Sequence, residues 1–169
     1  MRDATVAELV TAVQGGSRPA FAGLYERFHR VVHAIVLARV HAGDAPDVVQ
    51  DVFADVWSRL PDLREPAAFP GWIVTMARNR AIDHARRRRP VSDDTADLAV
   101  SPPPAAEAAA ALRAIRTLPE TYRETLIMRL VEGLSGPEIA LRTGMTPESV
   151  RVHLHRGIKL LREKLGGSP

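Results

Sequence analysis

The 169-residue chain contains no cysteine, which excludes disulfides, thiolate nucleophiles and cysteine-bound zinc within it. No apolar run approaches the roughly 20 residues that a membrane helix needs. The N-terminus lacks the basic-then-apolar order of a secretory leader, so the expected location is cytoplasmic, without membrane insertion. No stretch alternates with the two-residue period of a strand, and no internal repeat is present. Nucleophile–base pairs, phosphate-cradling glycine loops and paired-carboxylate motifs are also missing, so neither an enzyme nor a cofactor is expected. One histidine pair, His29 and His33, sits four apart with Glu26 a turn before it. That is a zinc spacing, but no recognised zinc motif surrounds it, and an ordinary polar face is the simpler reading.

What the chain does have is helix punctuation. Apolar residues recur at three and four throughout, and 46% hydrophobic content suffices for packed cores. Helices are expected near 5–14, 21–39, 45–60 and 70–88, then 106–117, 119–132, 136–143 and 147–165. Between the two sets runs Pro90 to Pro104, with three acids and three consecutive prolines and no apolar period. Such composition describes an extended tether. The fold class is therefore all-α, two small helical domains over 1–89 and 106–169 joined by a linker over 90–105.

The segment Leu134 to Arg156 carries two helix starts about a glycine turn. Ser135 and Glu138 form an S-x-x-E capping box, Gly144 can take the positive φ of a sharp turn, and Thr146 caps a second helix led by Pro147. At 100° per residue, Val150, Leu154, Gly157, Ile158, Leu161 and Leu165 gather inside, while Glu148, Val152, His155, Arg156 and Lys159 gather outside. This is the pattern of a helix-turn-helix, whose second helix enters the major groove of DNA. Arg156 is suited to guanine and Val152 to a thymine methyl, and Arg142, Arg151 and Lys159 to phosphate. An ordinary helical hairpin with a solvated polar side is the plain alternative.

Charge is distributed unevenly. The net charge is only +3, yet the pI is near 9.9 and arginine is clustered. Asp47, Asp51 and Asp55 follow one another at i,i+4 on the outer side of the third helix, with Gln50 and Trp57 nearby. Like charges at that spacing cost an isolated helix a few tenths of a kcal/mol per pair. The row fits either a basic protein partner or a merely solvated face. From Trp72 to Arg89 the balance reverses, with six arginines against the single acid Asp83. Trp72, Met76, Asn79, Asp83 and Arg86 or Arg87 share a face that offers a stacking ring, polar groups and cations, as unpaired nucleic acid requires. Trp72 is equally suited to partial burial beside Ile73.

The order of these features resembles the extracytoplasmic-function (ECF) group of bacterial RNA polymerase sigma factors. The resemblance rests on Phe21-x-x-Leu24-Tyr25, on Asp47 to Trp57, on Phe69-x-Gly-Trp72 through Arg78-Asn79 and Asp83 to Arg86-Arg87, on Leu118-Pro119-x-x-x-Arg123, and on the helix-turn-helix. It implies an alternative sigma factor that directs promoter-specific initiation. Asp47, Gln50, Asp51 and Asp55 would meet the clamp of the polymerase largest subunit. Leu63, Arg64, Phe69, Trp72, Arg78, Asn79, Asp83, Arg86 and Arg87 would recognise and melt the −10 element. Arg142, Ser149, Arg151, Val152, His155, Arg156 and Lys159 would bind the −35 duplex. The resemblance further implies contact with the flap of the second-largest subunit and restraint by an anti-sigma factor. Gly157 departs from the family's usual alanine and should weaken its helix by up to about 1 kcal/mol. Val152 and His153 also depart from the common pattern, and no additional domain is expected beyond Gly166. A one-component helix-turn-helix regulator that never touches polymerase, and a nucleic-acid-processing enzyme, are the rival readings.

Overall fold

A computed structural model describes residues 4–88 and 103–166, with backbone only for 103–105. Among these residues there is no strand and there are eight α-helices: α1 Val6–Gln14, α2 Arg18–Leu37, α3 Ala45–Arg59, α4 Phe69–Arg87, α5 Pro103–Arg116, α6 Glu120–Leu130, α7 Gly136–Thr143 and α8 Pro147–Lys164. Most of the expected linker lies outside the described residues. Its last residues do not: α5 begins at Pro103, three positions earlier than expected, because prolines are tolerated in a first helical turn whose N–H groups have no intrahelical acceptor.

Local chemistry accounts for the other boundaries. Thr5 and Glu8 build a reciprocal capping box on α1. Ser17 accepts from the Ala20 amide and Pro19 falls in the first turn, so α2 starts at Arg18 and not near 21. Ser135 and Glu138 cap α7 reciprocally, and the hydrogen bond from the Ser135 amide holds the Glu138 carboxyl below its usual range. Gly144 ends α7 at φ +75°, a left-handed conformation that costs glycine nothing, and Thr146 caps α8 two residues later. The stretch expected as a break between Pro61 and Pro70 contains two short 3-10 turns, Leu60–Asp62 and Pro66–Ala68.

In the first lobe α2 is the central helix. Leu24, Phe28, Val31, Val32 and Ile35 are fully buried beneath α1, α3 and α4, and Phe28 meets Phe69 edge to face at 5.0 Å. In the second lobe α6 and α8 cross at Gly157. A Cβ there would stand 3.0 Å from Leu126 Cδ1 and 3.2 Å from Tyr122 Cβ, so the missing side chain is what permits the approach. The expected cost of Gly157 to its helix therefore accompanies a packing requirement. Leu165, expected on the inner face, lies past the end of α8 and is 56% exposed.

The lobes pack against each other, α6 and α7 lying on α2 and α7 also on α4. Arg116 donates from Nε to Leu37 O at 2.9 Å and from Nη2 to Val40 O at 2.7 Å, placing a cation on the carbonyl end of α2.

Candidate polymerase and promoter interfaces

Three surfaces carry the residues singled out in the sequence. On α3, Asp47, Gln50 and Asp51 are exposed and lie in a row beside an apolar groove of about 750 Å³. Phe21, Tyr25, Phe53 and Trp57 line that groove as an aromatic cluster, with Phe21 and Trp57 edge to face at 4.9 Å and Tyr25 against Phe53 at 4.5 Å. Tyr25 and Trp57 are each 41% exposed. Asp55 departs from the expected row, because Arg80 of α4 takes its carboxylate at 2.5 Å. Asp44 is likewise tied to α4, through Arg88 and through His84 at 3.4 Å. These pairs fix α3 against α4.

On α4 the predicted residues divide. Asn79 and Asp83 are exposed and border a cleft of about 250 Å³ that Trp72, Thr75, Arg59 and Arg80 also line. Arg86 and Arg87 project from the last turn, and Arg64 is exposed in the preceding loop. Trp72 is half-buried against Phe69 with ring centroids 5.8 Å apart, so the ring is partly core and partly accessible. Phe69 requires correction: it is fully buried and presents no surface to DNA. Its ring anchors the loop from beneath while Leu63 stays partly accessible above. Gln14, which sequence reasoning missed, holds that loop from α1 by donating to Leu60 O at 3.1 Å and Leu63 O at 2.8 Å. No local signal could have found it, since its partners lie more than forty residues away.

Arg78 is also engaged. Its guanidinium forks onto Glu124 of α6, Nε at 2.9 Å and Nη2 at 2.7 Å, and that hydrogen bonding raises the arginine's already high pKa. Glu124 is buried and also pairs with Arg39 at 2.7 Å, while Arg39 reaches Glu120 as well. His33 meets Glu132, and His29 stacks on His33 at 6.1 Å. Burial first, then the neighbouring His33, lowers the His29 pKa. Among the described residues no three ligand-type side chains converge on a point where a metal could sit.

On α8, Arg151, Val152, His155, Arg156 and Lys159 are exposed together. Ser149 is half-buried and serves the helix start, its amide donating to Thr146 Oγ1 at 3.1 Å and its hydroxyl accepting from Thr146 at 2.8 Å. Arg142 lies on α7, paired to Glu138 at 3.3 Å. His153 turns inward: Tyr122 meets its ring edge to face at 5.8 Å and its Nδ1 is buried without a hydrogen-bond partner. Burial, and secondly the Arg156 charge, lower its pKa.

Residues 24–91 match the family Sigma-70 region 2 and residues 108–161 the family Sigma-70, region 4. The ECF RNA polymerase sigma-E factor of Escherichia coli is 31% identical over 176 aligned positions, covering 93% of this chain and 92% of that protein. The chain belongs to the ECF RNA polymerase sigma factors. As an alternative sigma factor it binds core RNA polymerase and directs transcription initiation at particular promoters. A probable RNA polymerase sigma factor, RfaY, of Xanthomonas campestris is 33% identical over 89% of this chain, which spans 41% of that longer relative. The sigma factor CarQ of Myxococcus xanthus is 31% identical across 92% of its length. In fold, the chain is similar to CnrH in its complex with the cytosolic domain of CnrY, with a TM-score of 0.65, 23% identity, and coverage of 97% of this chain and 99% of that one. No helix among the described residues is long and apolar enough to cross a membrane.

Proposed function

We propose that the three surfaces divide the work of a sigma factor. Asp47, Gln50 and Asp51, with the aromatic groove beside them, dock on the clamp of the polymerase largest subunit. Asp55 supports that face indirectly by holding α3 to α4. The loop from Leu63 and the outer side of α4, with Arg64, Trp72, Arg78, Asn79, Asp83, Arg86 and Arg87, takes the unpaired −10 strand. Trp72 offers the accessible part of its ring for stacking, Asn79 and Asp83 offer polar groups for base edges, and the arginines face phosphates. Arg151, Val152, His155, Arg156 and Lys159 read the −35 duplex, with Arg142 at its margin and Ser149 holding the helix end that enters the groove.

The domain limits are 1–89 and, because α5 begins at Pro103, 103–169, and the second domain also meets the flap of the second-largest subunit. The protein works in the cytoplasm, is a transcription factor and not an enzyme, and is held in check by an anti-sigma factor. CnrH, a relative in fold, is itself bound to a second protein, the cytosolic domain of CnrY. The observation that carries this reading is the segregation of charge on one chain. A row of exposed carboxylates stands on α3, while exposed cations stand on α4 and α8.

Paired substitutions test it. Asp47→Arg with Asp51→Arg should weaken core polymerase binding at least tenfold, measured by competition with labelled wild type, and leave a duplex mobility shift unchanged. Arg151→Ala with Arg156→Ala should do the reverse. If both pairs alter both readouts equally, the division of surfaces is wrong.

A further inference from the structure

One side chain of α8 points away from the DNA face that its neighbours form. Val152, His155 and Arg156 are exposed, whereas the His153 ring among them turns inward and meets Tyr122 of α6 edge to face at 5.8 Å. One turn further along α8, Gly157 comes against the same residue, where a Cβ would stand 3.2 Å from Tyr122 Cβ and 3.0 Å from Leu126 Cδ1. His153 and Gly157 therefore share the contact through which α8 rests on α6. That contact lies wholly inside the second lobe. His153 Nδ1 is buried and has no hydrogen-bond partner. A neutral imidazole with its proton on Nε2 leaves only a lone pair there, but an imidazolium carries a proton on both nitrogens, so protonation creates a buried N–H with nothing to accept it. Charges nearby give no relief. Arg156, three positions along the same helix, repels a charged ring. Arg78, Glu120 and Glu124 line the cleft of about 490 Å³ that His153 borders, yet both carboxylates are already held, Glu124 by Arg78 and Arg39 and Glu120 by Arg39. Burial first, then Arg156, keeps the pKa of the ring below its ordinary value.

We propose that His153 is a positioning residue for −35 recognition: its neutral ring, set against Tyr122, seats α8 on α6, and its protonation unseats the helix, so that −35 selectivity falls in acid. This rests on the assignment of α8 to the −35 duplex. A specific complex needs the reading residues of α8 at fixed positions over base edges, because hydrogen bonds and methyl contacts to bases tolerate little displacement. Attraction to phosphates needs only the cations, which a small shift of the helix leaves in place. Protonation of His153 therefore favours non-specific over specific binding. The sign distinguishes this from simple electrostatics, in which an added positive charge tightens every DNA complex.

The test uses holoenzyme assembled from core polymerase and the full chain, with two competing promoter fragments that differ only in the −35 element, one as it stands upstream of a mapped start and one scrambled. The ratio of their affinities is the selectivity, in which general attraction to DNA and any effect of acid on the polymerase cancel. With the wild-type chain the ratio should fall several-fold between about pH 7.5 and about pH 5.5, up to a limit of about tenfold, the most that one proton on a group of ordinary pKa 6.5 can impose there. His153→Phe keeps a ring against Tyr122 but takes no proton, so its ratio should stay level over the same range. His153→Gln, also uncharged, carries the test if His153→Phe does not fold, and circular dichroism melting at both ends of the range establishes which variants are folded. His155→Gln removes the other histidine of α8 from the reading face, and the fall should persist in it. A wild-type ratio that does not change with pH, a fall of equal size in the folded His153 variants, or a fall that disappears with His155→Gln instead would overturn the proposal. A wild-type chain with no preference between the fragments even at the upper pH would overturn it too, and would put the fault in the assignment of α8, not in His153.

Discussion

Leu126 and Tyr122 meet Gly157 so closely that the residue's effect on stability has two opposing parts. Replacing glycine by alanine inside a helix gains roughly 0.5–1 kcal/mol, whereas forcing an extra carbon into a packed contact costs typically 1–3 kcal/mol. The contacts at 3.0–3.2 Å include Leu126 Cγ and Tyr122 Cβ, atoms near the α6 backbone that cannot swing aside as a side-chain tip can. Packing should win. Gly157→Ala is expected to lose about 1 kcal/mol in urea unfolding, where helix propensity alone predicts a gain. His153 makes a second prediction at this scale. Its folded-state pKa lies below the ordinary 6.5, so the unfolded chain binds the proton more readily. Stability from this group is therefore full above pH 6.5 and falls as pH drops through that value toward the depressed one. The melting temperature should decline between pH 7.5 and pH 5.5, and His153→Phe should make that decline shallower while His29, shifted the same way, leaves a remainder.

At the scale of elements, the parts readable from sequence are those whose cause is local. The capping box at Ser135, the left-handed Gly144 and the Thr146–Pro147 start each depend on residues within four positions; α7 begins and ends as expected, and α8 begins as expected and stops one residue short, at Lys164. The start of α2 falls earlier than expected, and its cause, Ser17 with Pro19, is an equally local signal that apolar periodicity alone does not contain. The loop before α4 is different. Its 3-10 turns are held by Gln14 from α1 and by the buried Phe69 ring against Phe28, contacts no window of sequence contains. Gln14→Ala should leave the Leu63 carbonyl without its donor, while Leu60 O keeps the Leu63 amide, and lower stability by about 1–3 kcal/mol. If the loop receives −10 DNA, the same substitution should reduce promoter opening, measured by permanganate reactivity, more than core polymerase binding. Equal losses in both would assign Gln14 to stability alone.

For the whole molecule, family and architecture are legible because several motifs stand in order along nearly the entire chain, each with its own local chemistry. The relation between the lobes is not. Arg39, Arg78, Glu124 and Glu132 look in sequence like ordinary helix-surface charges, and only the fold brings Glu124 to Arg39 and Arg78, and Glu132 to the His33 ring. A fork between Arg78 and a buried glutamate also changes how the α4 surface is understood, since that arginine already has a partner in the second lobe. Asp55 shows the same effect on a smaller scale, an apparent member of an exposed acidic row that instead fastens two helices. Charge pattern along a helix reports which side chains share a face. It does not report which of them already have partners.

Whether this chain directs core polymerase to promoters through separate acidic and basic surfaces can be decided by run-off transcription on fragments of the source genome with mapped 5′ ends. Purified core polymerase with the wild-type protein should produce new starts that share −35 and −10 sequences at constant spacing. Asp47→Arg with Asp51→Arg should abolish those starts. Starts that survive the acidic substitutions unchanged, or that appear equally with core polymerase alone, would contradict it.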